Sequence, residues 1–167
     1  MRNKFPNGIT ADIVFEKYHN TVYRLALART KNISDAEDVV QTAFLRLVGA
    51  TTVFNDEEHI KAWLIRVTVN ASKNLMLSSW MRLTSPLDEN IPTQMAETGE
   101  VYYAVMQLPI KYRTAIHLFY YEGYTCSQIA DLLNTNEATV KTRLKRAREK
   151  LKLALKGEDF DVQGKIL

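Results

Sequence analysis

The chain is poor in the residues that build most chemical centres. Of its 167 residues a single one is cysteine, Cys126, which excludes an internal disulfide and a multi-cysteine zinc site. The three histidines, His19, His59 and His117, are scattered, and no ligand cluster has metal spacing. No nucleophile–base pair or phosphate loop is present, so an enzyme is the least favoured class and no cofactor is expected. Long apolar runs are missing too. The opening MRNKFPNGIT lacks an apolar signal segment, and nothing approaches the ~20 apolar residues of a membrane span. A cytoplasmic location without direct membrane insertion is the expectation. Glycine (6) and proline (4) are scarce and few stretches alternate with period two, so with 46% apolar residues the chain reads as all-α.

What is present is charge of uneven distribution. The net charge is only +3, but residues 101–156 carry 10 Lys/Arg against 4 Asp/Glu, while residues 83–100 carry 4 acids and no base. Residues 1–82 are mixed, with 11 bases and 8 acids, and the last 11 residues return to acidic. A basic C-terminal module is the electrostatic footprint of a nucleic-acid binder, although a solvated helical face produces the same run.

Periodicity places three helices in the first half. One spans about 11–31, with Thr10 as N-cap and Val14, Phe15, Tyr18, Val22, Leu25 and Leu27 at helical spacing. A second starts at Ser34, where Ser34-Asp35-Ala36-Glu37 fits a capping box, and runs to about Val48. The third runs over about 57–81, with no glycine or proline to interrupt it. Residues 83–99, with two prolines, a glycine and three acids, break every pattern and read as a flexible acidic linker. Two small helical domains result, 1–82 and 100–156, followed by a tail at 157–167. In the second, a short helix over 100–108 is stopped by Pro109, and another over 110–122 is ended by Gly123.

The stretch 125–155 has the layout of a helix-turn-helix. Thr125-Cys126-Ser127-Gln128 is a capping box, Ile129, Ala130 and Leu133 form the inner face of a short helix, and Asn134-Thr135-Asn136 makes a polar turn. In the final helix Val140, Leu144, Ala147, Leu151 and Leu155 form one buried stripe. Thr142, Lys145 and Glu149 then point away from the core, flanked by Lys141 and Arg146, while Arg143, Arg148 and Lys150 lie nearer the sides. Eight Lys/Arg between 141 and 156 oppose only Glu149. Such groups can bond guanine edges and hold phosphates, aided by the positive end of the helix dipole.

In the second helix Ala36, Val39, Val40, Ala43, Phe44 and Leu47 make a core stripe, leaving Asp38, Gln41 and Leu45 outside with Val48 beside them. An exposed leucine among polar groups is often trivial, or else the centre of a docking patch. Along the third helix His59, Trp63, Arg66, Asn70, Lys73 and Asn74 share a face, and Leu64, Val67, Ala71 and Leu75 an adjacent one. The first stripe suits a nucleic-acid surface. Spacing alone favours the plainer arrangement, with Trp63 in the core and the polar groups solvated.

The blocks DAEDVVQTAFLRLV (35–48), HIKAWLIRVTVNASKNLM (59–76) and LPIKYRTAIHLFYYEGYTCSQIADLLNTNEATVKTRLKRAREKLK (108–152) occur in that order. Together they resemble the bacterial extracytoplasmic-function sigma factors, the smallest group of the sigma-70 family, over nearly the whole chain apart from linker and tails. The resemblance implies that the N-terminal domain is sigma region 2 and docks on the β′ clamp helices of core RNA polymerase through Asp38, Gln41 and Leu45. It implies that Asn55 to His59 is the loop capturing a base flipped from the −10 element, with Arg66, Asn70, Lys73 and Asn74 beside the opening strand. The C-terminal domain would be region 4, touching the β-flap and reading the −35 element of promoter DNA through Lys141, Thr142, Arg143, Lys145, Arg146 and Arg148. The linker would lie in the RNA path, and an anti-sigma factor is the expected inhibitor. Two departures stand out. The loop is short and acidic, and Asn74 and Arg82 stand where many members carry Asp and Arg. Competing readings are a stand-alone helix-turn-helix regulator with a sensing N-terminal domain, and a sigma-like decoy that binds polymerase without opening promoters.

Overall fold

Thr10, in extended backbone, accepts the Ile13 N–H and opens α1 (Ala11–Thr30) in the computed structural model, which describes residues 4–81 and 99–155, with side chains to residue 78 in the first span. Among these residues every regular element is a helix. The expectations for residues 83–98 and for the tail lie outside them. The chain divides into two compact units, Met1–Leu87 and Asp88–Leu167.

In the first unit α1 closes on Lys31, whose left-handed backbone (φ 57°) returns its N–H to the Leu27 carbonyl. The next residue already caps α2 (Ile33–Gly49): the Asn32 side chain accepts the Asp35 N–H at 2.9 Å. The capping box expected at Ser34 is therefore not the start. Asn caps as well as Ser, and with α1 ended at Thr30 the tight reversal leaves α2 to begin at Ile33. α3 (Glu57–Met81) has the expected limits, and its first turn is capped by Asp56, whose Oδ1 accepts the His59 N–H at 2.7 Å.

The three helices pack pairwise around one core. Val14, Tyr18 and Val22 from α1, Val40, Ala43, Phe44 and Leu47 from α2, and Ile60 and Leu64 from α3 are all buried in it. Phe15, expected in the α1 stripe, is instead 44% exposed, its ring meeting the edge of Phe44 at 4.9 Å and the His19 ring at 4.8 Å. A short 3-10 turn at Pro6–Gly8 precedes α1, and the residues before it also join the core. Phe5 stacks on Phe54 at 5.6 Å, and the Lys4 ammonium donates to the carbonyls of Leu47 (2.6 Å), Val48 (2.6 Å) and Ala50 (3.2 Å). A cation there satisfies orphan carbonyls and opposes the negative end of the α2 dipole.

The second unit contains α4 (Gly99–Met106), α5 (Ile110–Ile116), α6 (Cys126–Leu132) and α7 (Glu137–Ala154). The helix expected over 110–122 is not uniform. From His117 to Tyr121 it widens into a π turn, with the Glu122 N–H reaching the His117 carbonyl, and Gly123 at φ 74° ends it. The Thr125–Gln128 capping box forms in both directions. α7 is started by Asn136, whose side chain accepts the Thr139 N–H at 2.7 Å. Ile129, Ala130 and Leu132 are buried and Leu133 is half-buried, because Leu133 already leaves the helix. Val140, Leu144, Ala147 and Leu151 are buried along α7, and Leu155 at its end is half-buried.

Candidate nucleic-acid interface

Burial of one side of α7 dictates what its other side offers. Lys141, Thr142, Lys145 and Arg146 are exposed, and Arg143 and Arg148 are half-buried. Their settings differ. Thr142, Arg143 and Arg146 line a cleft of about 440 Å³ together with Asn136 of the α7 cap and Lys111 and Tyr112 of the first turn of α5. Lys141 lies 3.3 Å from Glu137 one turn back. Arg148 faces the π turn: its Nε donates to the Tyr120 hydroxyl at 2.8 Å, and its guanidinium sits 5.8 Å from the Phe119 ring centre and 5.7 Å from that of Tyr120.

Lys111 and Tyr112 escaped the sequence reading. The signal was a Lys-Tyr pair directly after the helix-starting Pro109-Ile110, away from the conspicuous basic run. The Tyr112 phenol is held below its ordinary pKa, first by a hydrogen bond from Arg146, against burial, and also by the charges of Lys111, Arg146 and Lys150. Behind this surface, burial pushes the Arg113 guanidinium down to about 10 while it donates to the Leu108 carbonyl at 2.6 Å. Burial likewise pushes the Tyr121 phenol up to about 12.

On α3 Arg66, Asn70, Lys73 and Asn74 are all exposed, so these four share a solvent-facing side. His59 and Trp63 are half-buried at its N-terminal end. Both rings meet Phe54 edge-on, at 5.1 Å and 5.7 Å, and Trp63 packs against the core. Trp63 is thus a half-buried residue at the edge of the core, closer to the plainer arrangement. The His59 Nδ1 accepts the Asn55 N–H at 3.1 Å, which ties the ring to the loop before α3.

The acidic loop has internal uses that spacing could not reveal. Asp56 caps α3, and the Glu57 carboxylate lies 2.6 Å from Lys17 on α1. That contact is what raises the Lys17 pKa. Two of the three acids are therefore engaged within the fold. On α2, Asp38, Gln41 and Leu45 are all exposed. Leu45 (65%) and Val48 (64%) put an apolar patch beside the two polar groups, next to the end held by Lys4.

Among the described residues no group of three or more His, Cys, Asp or Glu could hold a metal ion, and no helix is long and apolar enough to cross a membrane. What the surface offers is cations, amides and aromatic edges on helices, which is binding chemistry.

Comparison with known proteins gives the same partition. Residues 14–81 match the family Sigma-70 region 2, and residues 98–151 match Sigma-70, region 4. The ECF RNA polymerase sigma factor SigM of Mycobacterium tuberculosis is 32% identical over 145 residues, covering 84% of this chain and 74% of that protein. SigM of Bacillus subtilis is 32% identical over 156 residues, covering 86% and 94%. Among solved structures, the sigma factor RpoE from Bartonella quintana, in complex with the anti-sigma factor NepR, matches with a TM-score of 0.65 at 19% identity, covering 86% of this chain and 95% of that one. At that identity the likeness concerns the fold.

Proposed function

The chain belongs to the ECF RNA polymerase sigma factors of the sigma-70 family, which direct transcription initiation, and on that premise we propose how its residues divide the work. The first unit docks on the β′ clamp helices of core polymerase through Asp38, Gln41 and Leu45. It meets the −10 element through Asn55, His59, Arg66, Asn70, Lys73 and Asn74. The second unit touches the β-flap and reads the −35 element of promoter DNA through Lys141, Thr142, Arg143, Lys145 and Arg146, with Arg148 bracing α7 from behind.

Sigma factors are regulators, and here the contribution is binding energy rather than catalysis. Opening a duplex costs on the order of 1–2 kcal/mol per base-pair step. Stacking of extruded bases on aromatic groups and cation–phosphate contacts offset part of that cost. The protein acts in the cytoplasm, where polymerase and chromosome are. An anti-sigma factor is a fitting inhibitor, since the related RpoE is bound to one.

The observation that carries this reading is the one-sidedness of α7: Val140, Leu144, Ala147 and Leu151 fill the core while Lys141, Thr142, Lys145 and Arg146 face solvent. The test is reconstitution of the full chain with core RNA polymerase, run-off transcription on fragmented genomic DNA, and sequencing of the transcripts. Discrete 5′ ends sharing −10 and −35 sequences are expected. Failure of the purified chain to bind core polymerase would overturn the reading.

A further inference from the structure

The arginines of α7 are long side chains, and an unrestrained guanidinium meets a base edge in many orientations, few of them productive. Arg143 and Arg146 are also like-charged neighbours three residues apart on one helix face, so they repel. The cleft supplies a remedy from another helix. Tyr112, on the first turn of α5, is only 7% exposed, and its N–H is fixed to the Pro109 carbonyl at 3.0 Å. Its ring lies under the Lys111 ammonium at 5.1 Å, and it lines the cleft with Arg143 and Arg146. The ring is thus buried, and its hydroxyl oxygen can accept from a neighbouring cation.

We propose that Tyr112 is a positioning residue for promoter reading, its hydroxyl oxygen accepting an Arg146 N–H so that the guanidinium is presented at the mouth of the α5–α7 cleft in one orientation. The inference rests on the region 4 assignment above and deepens it. A guanidinium has five N–H donors; one bond to Tyr112 leaves four, and the fork that reads the O6 and N7 of guanine needs two. The lowered pKa of Tyr112, caused first by this hydrogen bond, accords with the arrangement. The hydroxyl therefore costs Arg146 no reading capacity and removes rotamers that cannot read.

The test uses the full chain with core RNA polymerase and a duplex library randomised across the −35 element, its −10 element taken from the wild-type run-off transcripts. Bound sequences are compared for wild type, Tyr112→Phe, Arg146→Ala and the double variant, with thermal unfolding measured for each. Tyr112→Phe keeps the ring, so unfolding is expected to stay unchanged. Base preference should fall about three- to tenfold at the position that Arg146→Ala relaxes, the range expected for one hydrogen bond. In the Arg146→Ala background the same substitution should have no further effect. An unchanged preference in Tyr112→Phe would overturn the inference. So would a loss of equal size in the Arg146→Ala background, which would show that the hydroxyl acts without Arg146, and so would a clearly lowered unfolding temperature, which would assign the hydroxyl to the fold. A wild-type holoenzyme that selects no −35 sequence would overturn the region 4 reading and the inference together, a failure visible in the wild-type arm alone.

Discussion

In the first unit α3 is held by its apolar underside and by the loop before it, where Asp56 caps the backbone and His59 receives the Asn55 N–H. In the second unit α7 is also capped, by Asn136, but aromatic residues of neighbouring elements lie beside its cations as well: Tyr112 lines a cleft with Arg146, and Phe119 and Tyr120 meet Arg148. The anchors on α3 hold its start and its buried side, where the Arg29 Nε donates to the Ser72 hydroxyl at 2.6 Å, and leave Arg66, Asn70, Lys73 and Asn74 exposed. On α7 the anchoring extends to the contact side chains themselves. The difference matches the two kinds of DNA each unit is proposed to meet. A duplex groove has fixed geometry and rewards side chains that are already oriented. A strand being drawn out of a duplex changes geometry and is better followed by mobile ones.

The comparison breaks most severely if the shared requirement, an apolar underside, is removed. Leu144 is 1% exposed at the centre of the α7 stripe. Leu144→Ala should cost about 2–5 kcal/mol through lost burial and the cavity left behind. Chemical denaturation followed by circular dichroism would show it, and −35 binding should fall with it despite intact arginines. Retained −35 binding at that cost would mean that the aromatic anchors alone hold α7.

A smaller effect separates the two kinds of anchor. Arg148→Ala removes a charge-assisted hydrogen bond and two ring contacts, and should lower stability by about 1–2 kcal/mol. Lys145→Ala, on the exposed side, should leave stability unchanged and weaken DNA binding more than Arg148→Ala does. The opposite order in a binding titration at fixed salt would make Arg148 a direct DNA contact and Lys145 a bystander.

The smallest effect sharpens the first unit. Asp56→Ala should cost about 1 kcal/mol, the usual worth of an N-cap, and Asp56→Ser should restore it. Urea titration gives the stability, and permanganate reactivity of the opened promoter gives the function. If serine restores stability but not opening, the carboxylate acts on DNA and the loop is more than a cap.

Much of this was legible in residue order. The α2 stripe from Ala36 to Leu47 is buried at every expected position, because a helix packed on two others must turn its apolar residues inward. The limits of α3 and the Thr125–Gln128 box followed from local chemistry, the absence of breakers and a reciprocal cap. Asn32 displaced Ser34 as a cap because two good capping residues compete within three positions, and the tight turn out of α1 decides between them. The π turn at His117–Tyr121 was hidden: one extra residue in a helical turn shifts the phase of side chains without leaving a mark on composition. Nothing near Lys4 in the chain marked its role, since its three carbonyl partners lie more than forty residues away.

The sequence by itself determined the helical class, the division into two helical units, the apolar faces and the basic run from Lys141 onward. Each of these depends on residues close together in the chain. Tertiary structure alone decided which cations face outward alone and which are restrained. Lys111 and Tyr112 share a cleft with Arg143 and Arg146, and Phe119 and Tyr120 draw Arg148 inward. It also put the acids of the Asn55–His59 loop to work, Asp56 on the α3 backbone and Glu57 on Lys17. Charge and spacing say what a side chain can do; the partners that arrive from other helices decide which of those options it keeps.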